Sequence, residues 1–383
     1  MTGLYIHIPF CKSRCIYCAF FSSTDLAMRE KYVEALGREM LMRPARDDTV
    51  ATVYLGGGTP SQLTPAMLHK LFLYINKVYK LEKDAEITLE CNPDDISPEM
   101  ADAIASLPVN RVSMGVQTFS DQRLRFLRRR HSSSQIPLAV ERLRRAGINN
   151  ISIDLMFGFP HQTLHDWEND ARQAVGLNVE HISAYALTYE EGTPLYRMRE
   201  EGRLANTCDD DTQRLMYERL IDLLEEAGFE HYEISNFAKK TDTPYPTFRS
   251  RHNSSYWNGT PYIGIGAAAH SYDRVTRQWN VSDIGQYIQA VMNKERPIEE
   301  TELLDDATRY NDLITTALRT REGISMTELK RTFPDFFFNY LTANAAKGIQ
   351  RHLLEVTDGR LHLTRQGLFV SDDVMSDLVY VEP

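Results

Sequence analysis

The chain has 383 residues, 42% of them hydrophobic and 25% charged, and a formal net charge of −10. This is ordinary globular composition, with enough length for two or three domains or for one barrel with an appendage. The acidic balance argues against a nucleic-acid partner. The missing basic-then-apolar leader, and the absence of any run of about 18 uncharged apolar residues, argue against export and membrane spanning.

Short apolar segments at residues 4–8, 52–55, 86–90, 111–115, 151–156 and 181–186 predict strands. Amphipathic periodicity between them predicts helices, among them 27–42, 65–79 and 133–146. The repeated βα order calls for an α/β fold with a parallel sheet and helices outside, and six units suit a partial (β/α)6-type barrel better than a closed eightfold one. Ser97-Pro98-Glu99 reads as a helix start, Gly147 as a helix stop, and a long amphipathic helix runs from 209 to 227 before Gly228. Residues 239–250 read as an exposed loop, and 264–271 as a tightly packed strand or turn. From about 301 the rhythm changes to helices at 305–319, 325–332 and 336–347. A hairpin follows at 353–363 around Asp358-Gly359, together a small helical, winged-helix-like module. The expected division is a barrel over 1–230, an extension of it over 231–300 and the C-terminal module over 301–383.

Five cysteines, three of them within eight positions directly after the first strand, form no disulfide framework and indicate a reducing compartment. Cys11-Lys12-Ser13-Arg14-Cys15-Ile16-Tyr17-Cys18 has the spacing C-x3-C-x2-C. Three soft thiolates can hold a cubane while leaving its fourth iron without a protein ligand. A zinc site, with His7 as a fourth ligand, or a redox pair at Cys15 and Cys18 are the alternatives on spacing alone. Cys91 and Cys208 are isolated, and no second C-x2-C exists.

The later strands end in Gly56-Gly57-Gly58-Thr59-Pro60, Glu90, Gln117 and Asp154. Triple glycine lets backbone approach a ligand closely, although a tight strand-to-helix turn also fits. Acidic and amide groups at successive apolar strand ends need partners, either a shared ligand or one another. Arg123, Arg125, Arg128, Arg129 and Arg130 form a basic run that suits a solvated face or a carboxylate clamp.

Cys11, Cys15 and Cys18 after the first strand of a partial barrel resemble the radical S-adenosylmethionine (SAM) superfamily. Tyr5-x-His7-x-Pro9-Phe10-Cys11 resembles its coproporphyrinogen III oxidase-like branch, over roughly residues 3–380. The resemblance implies a [4Fe–4S] cluster on the three cysteines and SAM chelated by its open iron, and an electron donor for the cluster. One-electron cleavage of SAM to a 5′-deoxyadenosyl radical is the superfamily's chemistry. It further implies SAM contacts from Tyr5, Tyr17, Gly57, Gly58, Thr59, Glu90, Gln117, Arg129 and Asp154.

Within that branch the decarboxylating dehydrogenase carries a fourth cysteine where this chain has Phe20, and an extension before the cluster for which Cys11 leaves no room. Both features, and His252-Asn253-Ser254-Ser255-Tyr256-Trp257 as an H-N-x-x-Y-W motif, resemble heme chaperones of the HemW type. That resemblance implies heme as cargo, heme-receiving respiratory proteins as partners, and a cytoplasmic protein with peripheral contact at the inner membrane. His252 is the expected iron ligand, with Tyr256 and Trp257 stacking on the macrocycle. A core turn in which the aromatics pack is the other reading of that segment. Whether SAM is cleaved catalytically stays open at this level, and porphyrinogen decarboxylation is the alternative activity.

Overall fold

The computed structural model describes residues 2–44, 49–205, 207–242 and 248–382. Six strands, β1 (Thr2–Ile8), β2 (Val50–Gly57), β3 (Leu81–Cys91), β4 (Arg111–Gln117), β5 (Ile151–Phe157) and β6 (His181–Ala186), lie side by side in chain order, all parallel. Their crossovers include α1 (Arg29–Met42), α2 (Pro65–Val78), α3 (Pro98–Ser106), α4 (Asp121–Phe126), α5 (Gln135–Arg145) and α6 (Leu164–Gly176). α7 (Pro194–Glu200) and α8 (Asp210–Glu226) follow the sixth strand. The predicted helix boundaries hold where side chains cap: the hydroxyls of Thr64 and Ser97 accept from the backbone N–H groups of Met67 and Met100, each ahead of a proline at the first helical position. Gly147 and Gly228 take positive φ after α5 and α8.

Several elements differ from the sequence reading. β3 begins five residues before the predicted 86–90, because Leu81 pairs with Val50 of β2 ahead of a register shift, and the polar residues that follow it bury no face. A hairpin of β7 (Phe229–Glu233) and β8 (Asn236–Lys239) extends the sheet antiparallel beyond β6. The predicted loop 239–250 falls partly on residues 243–247, outside the described residues. Helix α9 (Arg251–Trp257) then precedes β9 (Tyr262–Ile265), which joins β1 in parallel, and β10 (His270–Tyr272), β11 (Thr276–Asn280) and β12 (Ile298–Leu303), which continue antiparallel; α10 (Ile284–Met292) links the last two. The segment 264–271 is thus the turn between two strands. These six added strands carry little alternation: the edge strand β12 reads IEETEL and is mostly exposed, as charged edges that resist further pairing are.

The parallel strands point their C-terminal ends at one mouth of the barrel. α9 closes the other: the N–H groups of Arg251 and His252 donate to the Glu86 carboxylate, each at 2.9 Å. The C-terminal module has a separate core of residues such as Tyr310, Ile314, Leu341 and Leu361. It comprises α11 (Asp306–Ala317), β13 (Ile324–Ser325), α12 (Met326–Thr332), α13 (Asp335–Gln350), β14 (Leu354–Thr357) and β15 (Arg360–Leu363), then α14 (Arg365–Phe369) and α15 (Ser371–Ser376). Its strands form a sheet in the order β13-β15-β14, and Asp358 and Gly359, both at positive φ, make the expected tight hairpin turn.

Candidate functional site

The loop after β1 carries Cys11, Cys15 and Cys18, all free thiols and partly exposed at the C-terminal mouth of the barrel. Burial raises the Cys11 and Cys18 thiols above their ordinary value, and each also feels the neighbouring cysteines. Among the described residues no three His, Cys, Asp or Glu side chains converge closely enough for a single ion. Three thiolates can hold a cubane with one iron left open, whereas a structural zinc site needs a fourth protein ligand. His7, the alternative zinc ligand, has both ring nitrogens engaged, Nδ1 with the Tyr5 hydroxyl at 2.9 Å and Nε2 with the Phe21 carbonyl at 3.1 Å; burial lowers its pKa to about 4.

A chain of polar contacts links two of the cysteines across the mouth. Thr59 Oγ1 lies 3.6 Å from Cys11 Sγ and accepts from Asn92 Nδ2 at 3.4 Å. Asn92 Oδ1 accepts from Arg129 Nη2 at 2.6 Å, and Arg129 Nη1 points to Cys15 Sγ at 3.7 Å. Arg129 also donates to the Gly115 carbonyl, while its Nε is buried without a partner among the described residues. The donor set fits a [4Fe–4S] cluster, with the Arg129 guanidinium beside Cys15. The rest of the basic run faces elsewhere: Arg130 pairs with Asp94 and Asp95, Arg123 with Asp166, and Arg125 and Arg128 are exposed. Asn92 was missed in the sequence; its signal was the two-residue step from Glu90, which puts both on one face as the strand ends.

The glycines after β2 are needed by the protein itself. Gly57 has φ +113°, and a Cβ there would lie 2.6 Å from the His7 ring; at Gly58 it would lie 2.9 Å from the backbone of Pro9. Both abut the strand end and loop that lead to Cys11. Gln117, also at positive φ, stands over Gly115 together with Arg129 and Asn92; a Cβ at Gly115 would meet Gln117 Nε2 at 2.9 Å. Tyr17 follows the second cysteine and lies close enough to Arg129, Cys15, Cys18 and Asp154 to feel their charges.

Inside the barrel, Glu90 accepts from the Tyr54 hydroxyl at 2.7 Å and from the Gly57 N–H at 3.2 Å. Burial lifts its pKa to about 7, with the Asp154 charge adding to the effect. Asp154 is lifted to about 6, again by burial, against the pull of Arg111. Tyr5, Thr59, Glu90, Gln117, Arg129 and Asp154 thus ring the interior and mouth of one barrel, and Tyr5 stacks on Tyr54.

The H-N-x-x-Y-W segment lies at the opposite end. It forms α9, and His252 is fully buried. Its Nδ1 is hydrogen-bonded to Thr52 Oγ1 at 2.8 Å and its Nε2 to the Tyr256 hydroxyl at 2.9 Å, with Tyr5 and Tyr54 stacked nearby. Burial lowers its pKa to about 3. Both ring nitrogens of His252, the expected iron ligand, are thus engaged within the protein. Tyr256 and Trp257 line a cavity outside the barrel.

A partial parallel barrel with three thiols on the loop after its first strand is the architecture of radical SAM proteins, and the profile of the Radical SAM superfamily matches residues 5–174. The HemN C-terminal domain matches residues 304–370. The solved structure described as coproporphyrinogen III oxidase (HemN) from Escherichia coli superposes with a TM-score of 0.84 at 20% identity, over 99% of this chain and 90% of that one, a likeness of fold. The chain is 35% identical to "Heme chaperone HemW" of Bacillus subtilis, over 98% of each protein. It is 33% identical to the protein of that name in Lactococcus lactis, over 97% of this chain and 96% of that one. The chain therefore belongs to the HemW heme chaperone family of radical SAM proteins. Membership of the superfamily implies a [4Fe–4S] cluster and SAM.

Proposed function

We propose that this chain binds heme and delivers it to heme-containing respiratory proteins, and that it carries a [4Fe–4S] cluster on Cys11, Cys15 and Cys18 with SAM beside it. The observation that carries the reading is full-length similarity to relatives named heme chaperones. The bound cluster supplies an open iron for SAM and one electron for reducing it. Around it, Arg129 supplies a positive charge beside Cys15, and Thr59 and Asn92 hold the mouth in register. Glu90, Gln117 and Asp154 offer acceptors and an amide to the ribose and adenine of SAM. Tyr5 and Tyr17 pack beside them, and Gly57 and Gly58 keep the backbone open at the methionine end.

Porphyrinogen decarboxylation is disfavoured by Phe20, which occupies the position of a fourth thiol and is 71% exposed. The protein is read as cytoplasmic, docking at the inner membrane on its heme acceptors and an electron donor; among the described residues no helix is long and apolar enough to cross a membrane. The test is anaerobic reconstitution followed by titration with heme and transfer to an apo-cytochrome. A Soret band that moves to the acceptor supports the reading. Carbon dioxide released from coproporphyrinogen III with SAM consumption would replace it with the dehydrogenase.

A further inference from the structure

We propose that heme sits in the cavity between the stoppered end of the barrel and the C-terminal module, gripped at its propionates by Arg274 and Arg360; this rests on the chaperone reading above. The cavity, of about 750 Å3, is bounded by α9, β9–β11, α11 and α12, and its size is that of pockets that enclose drug-sized ligands. It lies on the side of the barrel away from the cluster, behind the α9 stopper.

Two properties of its wall select a flat, conjugated dianion. The first is aromatic lining from both bodies: Trp257 and Tyr262 on the barrel side and Phe333 on the module. Such rings stack on a macrocycle. The indole Nε1–H of Trp257 is buried with no partner among the described residues, a donor left for something the cavity holds. The second is charge. Arg277 is committed to Glu302 and Asp312, and Arg249 to Glu230 and Glu322. Arg274 and Arg360, by contrast, donate to backbone carbonyls, Arg274 to Gly259 and Arg360 to Glu322 and Gly323, and form no ion pair among the described residues. They come from the β10–β11 turn and the start of β15, so one stands on each body, and each guanidinium is a partner suited to a carboxylate.

Among the described residues no histidine lines the cavity. The grip assigned here is on the periphery of the macrocycle.

The experiment uses the full chain with its cluster. Heme, and separately its dimethyl ester, is titrated into wild type, Arg274→Glu, Arg274→Glu/Arg360→Gln and Thr316→Trp, followed by Soret absorbance. Arg274 is exposed, so its variant tests charge without loss of fold; Thr316 lines the cavity, and a tryptophan there fills it. The expected result is at least about tenfold weaker heme binding by the double variant and by Thr316→Trp, the scale of a lost charge-assisted contact. The ester should bind wild type about tenfold more weakly than heme and be indifferent to Arg274→Glu. If heme binds wild type and every variant equally, the seat is elsewhere and the chaperone reading survives. If wild type binds no heme, that reading falls and the seat with it.

Discussion

Glu90 and Asp154 are two carboxyls held in one barrel, and their ionisation sets a pH dependence that can be worked out from the structure. Burial raises Glu90 from 4.5 to about 7 and Asp154 from 3.8 to about 6. Each gap corresponds to about 3 kcal/mol, at about 1.4 kcal/mol per pH unit. The two overlap, because the Asp154 charge is one of the influences lifting Glu90, so about 3–5 kcal/mol together is the expected ceiling. A carboxyl raised in the folded state binds its proton more tightly there than when unfolded. Its stabilising contribution is complete below pH 4.5 for Glu90 and below pH 3.8 for Asp154. It is lost as pH rises through about 7 and about 6 respectively. Glu90→Gln removes one of these titrations. The amide oxygen can still accept from the Gly57 N–H, and its NH2 can turn to the Tyr54 hydroxyl, which is able to accept. A residual offset is then independent of pH. Urea unfolding of wild type and variant, without SAM and at constant ionic strength, should show the variant gaining on wild type by about 2–3 kcal/mol between pH 5 and pH 8. A difference that stays within about 0.5 kcal/mol over that range would falsify the argument, since additive effects unrelated to the titration cancel in it.

Replacing Cys11, Cys15 or Cys18 with alanine should remove the iron–sulfur absorbance of reconstituted protein, whereas alanine at Cys91, which is buried, or at Cys208 should preserve it; iron content by chelation checks both. Gly57→Val should impair cluster assembly as well as SAM binding, because its side chain meets the His7 ring behind the cysteine loop; normal iron uptake with only SAM lost would show that the ring gives way. His252→Ala should cost about 2–4 kcal/mol, as an unfilled ring-sized space and two broken hydrogen bonds do. It should leave the position of the Soret maximum of heme-loaded protein unchanged; a shifted Soret band would return the imidazole to the iron.

The residues from Leu4 to Ala186 announced their own architecture. Short β-rich segments and 3.6-residue periodicity are properties of neighbouring residues, and chain-order parallel pairing leaves few topologies. The cysteine spacing was legible for the same reason: three ligands on one short loop need no distant partner to be recognised. Glu90, Gln117 and Asp154 also stood out, as polar groups at the ends of apolar strands. What the sequence could not convey is where non-local neighbours fall. Asn92 joins Thr59 to Arg129 only because three strand ends meet, and β7–β12 are strands only because the sheet's open edges recruit them. His252 illustrates the difference most sharply. By residue type it is an available imidazole, but Thr52 lies 200 positions earlier and holds one of its nitrogens inside the barrel. Arg274 and Arg360 were likewise anonymous in sequence, because whether an arginine meets a carboxylate is a property of the folded surface and not of the residue.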